Sequence, residues 1–113
     1  MTFEADGDGP SPVSVSLRTD NGSSLLLVAG KVDLASVGAL RDGIDQALSR
    51  QLPRLIIDLA GVGFLDSTGL SALLDAHRQA LGGGTTFLAI NCQPPVHRIM
   101  AAAGVRTLLT GLA

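Results

Sequence analysis

The chain has 113 residues, enough for one ordinary domain and not two, and 46% of them are hydrophobic, enough to bury a core. That core must be mostly aliphatic, because Phe3, Phe64 and Phe87 are the only aromatics. Eight basic against ten acidic residues give a net charge of −2, with no basic stripe for nucleic acid and no basic amphipathic helix for a membrane surface.

Three of the acids, Glu4, Asp6 and Asp8, fall in the first twelve residues. The opening MTFEADGDGPSP is Gly, Pro, Ser and acid with little to bury. It reads as a flexible acidic arm over 1–12, ahead of a folded domain over 13–113. It lacks the basic start and apolar centre of a signal peptide. No apolar run approaches the ~18 residues of a membrane span. The single Cys92 can form no intramolecular disulfide and no metal cluster. The expectation is a soluble, cytoplasmic protein.

VSVSLR alternates, with Val13, Val15 and Leu17 on one face, as a half-buried strand does. Asn21-Gly22 is a hairpin signal, and SLLLVAG returns as a more buried strand. Val37, Leu40, Ile44, Ala47 and Leu48 recur at helical spacing, with Ser36 as the candidate N-cap. RLIIDL (54–59) is a short continuous apolar run, as a buried parallel strand requires. Leu70, Leu73, Leu74 and Leu81 predict a helix that stops at GGG (82–84). TFLAIN (86–91) predicts a strand, PPVHRIMAAAG a short helix with proline at its start and Gly104 at its end, and RTLL a last short strand. The order β-β-α-β-α-β-α-β implies an α/β fold: an N-terminal hairpin leading into a mixed, mostly parallel sheet of four to five strands, with three main helices packed on it.

The segment FLDSTGL (64–70) puts a serine between an aspartate and the start of a helix. As a hydrolase nucleophile Ser67 lacks the glycine two residues before it, where Leu65 stands. His77 is ten residues further along the same predicted helix, roughly 15 Å at the helical rise. Asp58 could serve as a phospho-accepting aspartate only with further carboxylates to hold Mg²⁺, and the earlier strands end in RTD and AGK. GGGTT has no P-loop lysine and follows a helix. His77, His97 and Arg98 read as ordinary helix-face residues, Cys92 as a small buried hydrophobe, and Met100 as core. Two readings of Ser67 stay open on physics alone. It is an ordinary helix cap, or it is a phosphate acceptor at a helix N-terminus, where free N–H groups and the positive dipole end suit a phosphate. Thr68 and Gly69 keep the position small.

GKVDLASVGALRDGID, PRLIIDLAGVGFLDSTGLSALLDAHRQALGGGTTFLAIN and PPVHRIMAAAGVRTLL resemble, in order and spacing, the STAS domain of bacterial anti-sigma factor antagonists. The resemblance spans about residues 13–110. Its most specific part is D-S-[ST]-G-L after an apolar strand, supported by Gly30–Asp33 and Val96–Ile99. It implies that Ser67 is phosphorylated by an anti-sigma factor that is itself a serine kinase, and that Thr68 is not the acceptor. Asp33, Asp66, Ser67, Thr68 and Gly69 then belong to the partner surface. The unphosphorylated protein would bind the kinase and free the sigma factor, and a phosphatase would reset it. The expectation is a non-enzymatic protein with no catalytic residue, metal or cofactor, a monomer when free, with no nucleic-acid or membrane partner. STAS domains also occur as scaffold modules and as subunits of lipid or anion transport assemblies, which is the alternative reading. The sequence departs from the pattern at Lys31, where an acidic residue is common.

Overall fold

The computed structural model of the chain describes residues 2–4 and 13–112, the first three by their backbone. Its strands are β1 (Thr2–Glu4), β2 (Val13–Asp20), β3 (Ser23–Val32), β4 (Arg54–Leu65) and β5 (Thr86–Ile90). Its helices are α1 (Val37–Ser49), α2 (Ser67–Gly82), α3 (Pro94–Ala102) and α4 (Arg106–Thr110). The five strands lie side by side in chain order. β1–β2 and β2–β3 pair antiparallel, while β3–β4 and β4–β5 pair parallel. Among the four longer strands, two of the three pairings are therefore parallel, as the alternating order requires.

The hairpin turn is the one the sequence signals. Asn21 and Gly22 both have positive φ, 47° and 79°, the backbone of a two-residue turn whose twist matches the strands. Past it, α1 and α2 are the crossovers between parallel neighbours. Their buried faces join Val13, Val15 and Leu17 of β2, Leu26 and Val28 of β3, Leu55, Ile57 and Leu59 of β4 and Phe87 and Ala89 of β5 in one core. On α2 that face is Leu70, Ala72, Leu73, Ala76 and Ala80. Leu74 is only partly buried, and Leu81, expected on the apolar stripe, is 71% exposed.

β4 runs six residues past the predicted end at Leu59. The added residues, AGVGFL, carry two glycines, and both lie at bulges. Leu27 pairs with Asp58 and Ala29 with Gly61, then Gly30 with Val62 and Lys31 with Phe64. β4 thus takes one extra residue at each step. The buried positions step from Leu55, Ile57 and Leu59 to Val62 and Leu65, so each bulge returns the next aliphatic residue to the core. Gly61 permits the first close approach: a Cβ there would lie 2.6 Å from the Ala29 Cβ.

RTLL is helix α4 rather than a strand. Leu109 N–H bonds to Val105 O and Gly111 N–H to Thr107 O, and Leu109 is fully buried where α4 meets β5, α2 and α3. Five residues are too few to show a helical period, so the sequence pattern could not separate the two. Of the arm expected over 1–12, residues 1 and 5–12 lie outside the described residues, and Thr2–Glu4 pair with Ser14–Ser16 of β2. No helix among the described residues is long and apolar enough to cross a membrane.

Candidate functional site

The two bulges bring β4 level with β3 at their carboxyl ends, where Val32 pairs with Leu65. Asp33 and Asp66 are the next residue on each strand, and the Asp66 N–H bonds to Val32 O at 3.2 Å. The turns after neighbouring parallel strands therefore emerge side by side on one rim.

The two aspartates do the same local work. Asp66 is the N-cap of α2, in extended backbone, and its Oδ1 accepts from Thr68 N at 2.9 Å and Gly69 N at 3.1 Å. Asp33 Oδ1 accepts from Ala35 N at 3.0 Å and Ser36 N at 3.2 Å. Each carboxylate thus satisfies the N–H groups two and three residues on, as a capping side chain does. Ser36, expected to cap α1, stands at the right position but makes no cap bond. Its fully buried hydroxyl donates instead to Lys31 O at 2.8 Å and accepts from Asp33 N at 3.0 Å, closing the turn on itself.

Ser67 is consequently the first residue of α2 and not its cap. Its side chain is exposed and makes no hydrogen bond among the described residues. Thr68 differs: its Oγ1 donates to Asp66 Oδ1 at 2.5 Å and is half-buried. Of the two adjacent hydroxyls one is tied down and one is open. Gly69 is buried, and a Cβ there would come within 2.8 Å of Val32 and 2.9 Å of Leu65. It seats the helix start against the strand ends, supporting the surface from below.

The Thr68 hydroxyl chiefly holds the Asp66 carboxyl below its ordinary 3.8; desolvation opposes it, and the backbone N–H groups of Gly69, Thr68 and Leu34 each lower it further by less. Hydrogen bonds to the charged form favour it. Lys31 lies beside this pair, with Nζ 3.9 Å from Asp33 Oδ2 and 4.9 Å from the centre of the Phe64 ring.

The other candidates separate from this rim. Ser67 and His77 both lie on the continuous helix α2, ten residues apart, and His77 stands edge-on to Phe87. Asp58 lies within β4, short of its end, and its carboxylate accepts from Ala60 N and from the Asn91 side chain. No group of three or more His, Cys, Asp or Glu side chains is placed to hold a metal among the described residues. Cys92 is half-buried rather than buried, and desolvation pushes its thiol up, away from the reactive thiolate. His97 accepts from Arg106 Nε at 3.3 Å. Two side chains that the sequence reading passed over stand on the rim, Leu34 at 77% and Phe64 at 45% exposure. The signal was an apolar residue directly after the capping Asp33, and an aromatic on the solvent side of Leu65.

Comparison with known proteins follows the same outline. The family model described as "Mlab, STAS domain" matches residues 15–110. The anti-sigma-F factor antagonist RsfB of Mycobacterium tuberculosis is 32% identical over 78 residues, which are 69% of this chain and 63% of that protein. The chain thus matches less than two thirds of that relative's length. The crystal structure of an anti-sigma factor antagonist from Mycobacterium paratuberculosis superimposes with a TM-score of 0.79 at 28% identity, covering 86% of this chain and 82% of that one. The anti-sigma factor antagonist SpoIIAA in its unphosphorylated form shares the fold, with a TM-score of 0.73 at 18% identity and 85% of each chain covered.

Proposed function

The chain belongs to the STAS domain family, and from that premise we propose that it is an anti-sigma factor antagonist. In its bare form it binds an anti-sigma factor that is a serine kinase, and the sigma factor is released. The kinase then transfers the γ-phosphoryl group of ATP to Ser67 Oγ, and the modified protein lets go. A separate phosphatase returns it to the bare form. The protein acts in the cytoplasm, as substrate and ligand rather than as an enzyme.

The observation that carries this reading is the open Ser67 hydroxyl on the first turn of α2, beside a Thr68 hydroxyl already bonded to Asp66. An acceptor must be free to enter a partner's active site, and Ser67 is. The positive end of α2 tolerates the added charge. At the partner interface, a dianion of roughly −1.5 to −2 replaces a small hydroxyl and must be desolvated beside the carboxylates and nucleotide phosphates of the kinase. Asp33, Asp66 and Thr68 form the surrounding contact surface, and Gly69 supports it.

The test is phosphotransfer with the purified cognate kinase and Mg-ATP, followed by intact mass and peptide mapping. The expected result is one phosphate, on Ser67, and none on Ser67→Ala. Phosphate on Thr68, or full labelling of Ser67→Ala, contradicts the assignment. A partner that binds equally well without any kinase activity would favour the scaffold or transport-subunit role instead.

A further inference from the structure

Large exposed apolar side chains are few in this protein. Among the described residues they are Leu34, Phe64, Leu81, Leu108 and Leu112. Singly, such residues are ordinary. Leu34 and Phe64 are distinguished by where the fold puts them. Phe64 pairs across the sheet with Lys31, one step before the Val32–Leu65 pair that ends both strands. Leu34 follows Asp33 at the tip of the neighbouring turn, and its backbone N–H contributes to the electrostatics of the Asp66 carboxyl. The two apolar side chains thus stand beside the two aspartates, Leu34 directly after Asp33 and Phe64 two residues before Asp66.

Nothing in the fold requires either side chain to be apolar. Leu34 is 77% exposed, and Leu65, not Phe64, fills the core at the end of β4. Beside Phe64 stands Lys31, the only lysine of the chain. Its ammonium rests over the Phe64 ring and approaches Asp33 only at 3.9 Å, with its side chain 59% exposed. Asp33 Oδ1 is already committed to two backbone N–H groups. The lysine therefore keeps donors to spare for a second carboxylate.

Resting on the proposed function, we infer that Leu34 and Phe64 are the apolar anchors of the kinase complex and that Lys31 selects a kinase bearing a carboxylate opposite it. The occupant follows from reach. A protein that delivers a phosphoryl group to Ser67 must cover its surroundings, and a stable interface buries on the order of 800 Å² on each partner. A patch of that size centred on Ser67 includes both side chains. Central apolar and aromatic anchors carry most of an interface's affinity, while a charge at their margin chiefly sets encounter rate and choice of partner. The partner surface this site fits is an apolar depression for the leucine and the ring, with an acidic residue at its rim.

The experiment measures the affinity and association rate of the purified Ser67 kinase for the full chain and for Leu34→Ala, Phe64→Ala, Lys31→Gln and Leu81→Ala. Leu81 is 71% exposed at the far end of α2, roughly 20 Å from Ser67 at the helical rise, and serves as the control. Leu34→Ala and Phe64→Ala should each weaken binding about tenfold or more, the scale of an anchor residue. Leu81→Ala should leave binding unchanged, and melting temperature should show that every variant is folded. Lys31→Gln should slow association severalfold at low salt and flatten its salt dependence. Wild-type affinity in both alanine variants, or an unaltered salt dependence in Lys31→Gln, overturns the inference while the phosphorylation reading stands. If the bare wild-type protein does not bind the kinase at all, the proposed function itself fails and takes the inference with it.

Discussion

At Ser67 the choice between cap and acceptor turns on one position. A serine that caps a helix aims its oxygen at the N–H groups two and three residues ahead. Here the Asp66 carboxylate takes the Thr68 and Gly69 N–H groups and the Asp66 carbonyl takes that of Leu70, so Ser67 has no cap to lose. Ser67→Ala should change stability by no more than about 0.5 kcal/mol, the range of an ordinary surface substitution. Asp66→Ala and Asp33→Ala should each cost about 0.5–2 kcal/mol, the range for a lost cap. Urea unfolding of the three variants checks this. A Ser67→Ala loss as large as that of Asp66→Ala would return the serine to a structural role. Asp33 is thereby more than a surface contact, and any binding defect of Asp33→Ala includes a loosened turn. The pH dependence has a definite sign. The folded Asp66 carboxyl is held below its ordinary 3.8, so its contribution is fully present above that value and is lost as pH falls through the lower folded value. Asp75, lowered by Arg41 and then Arg78, adds to acid sensitivity in the same direction. Thr68→Val should move the Asp66 titration upward toward 3.8, because the hydroxyl is the largest single cause of the lowering. A carboxylate titration followed by NMR reads this directly, and an unmoved Asp66 would refute the bond.

At the scale of elements, what the sequence makes legible is what has a period or a turn signal. Alternation in VSVSLR, the Asn21-Gly22 turn and the Leu40–Ile44–Ala47 spacing each report a local preference, and the elements form where those signals lie. The second half of β4 has neither. Gly61 and Gly63 look like chain breakers, but they serve a parallel neighbour thirty residues earlier in the chain, and only the pairing with Ala29–Lys31 reveals the bulges. Short α4 is hidden for a different reason: five residues are set by tertiary burial of Leu109 rather than by propensity. The rim itself was half legible. The family resemblance pointed to Asp33 and Asp66, whereas their level alignment depends on bulges no pattern announces. Gly61→Ala tests that dependence. A Cβ at 2.6 Å from the Ala29 Cβ and 3.0 Å from its Cα has no flexible neighbour to displace. Overpacking of this kind costs about 1–3 kcal/mol, and thermal melting should show the loss. A neutral Gly61→Ala would mean that the strands part without cost, and the alignment of the two aspartates would then need another cause.

Across the whole molecule, sheet and helices form a fixed platform. Asp33 and Asp66 turn both rim loops back on their own backbone, and Ser36 and Thr68 add a second bond to each turn. With both turns closed on themselves, the proposed switch at Ser67 is expected to act through charge at the surface rather than through refolding. Juxtaposed like charges at an interface cost several kcal/mol, and a penalty of about 4 kcal/mol weakens binding roughly a thousandfold. A single carboxylate is a smaller perturbation, so Ser67→Asp should bind the kinase with an affinity between the bare and phosphorylated forms. The most direct measurement is calorimetric titration of the purified kinase with bare and with Ser67-phosphorylated protein, alongside backbone amide shifts of the two forms. The account predicts binding about a thousandfold weaker after phosphorylation, with shifts confined to the turns at Asp33 and Ser67 and the first turn of α2. Equal affinities, or shifts spread across the sheet, would contradict it.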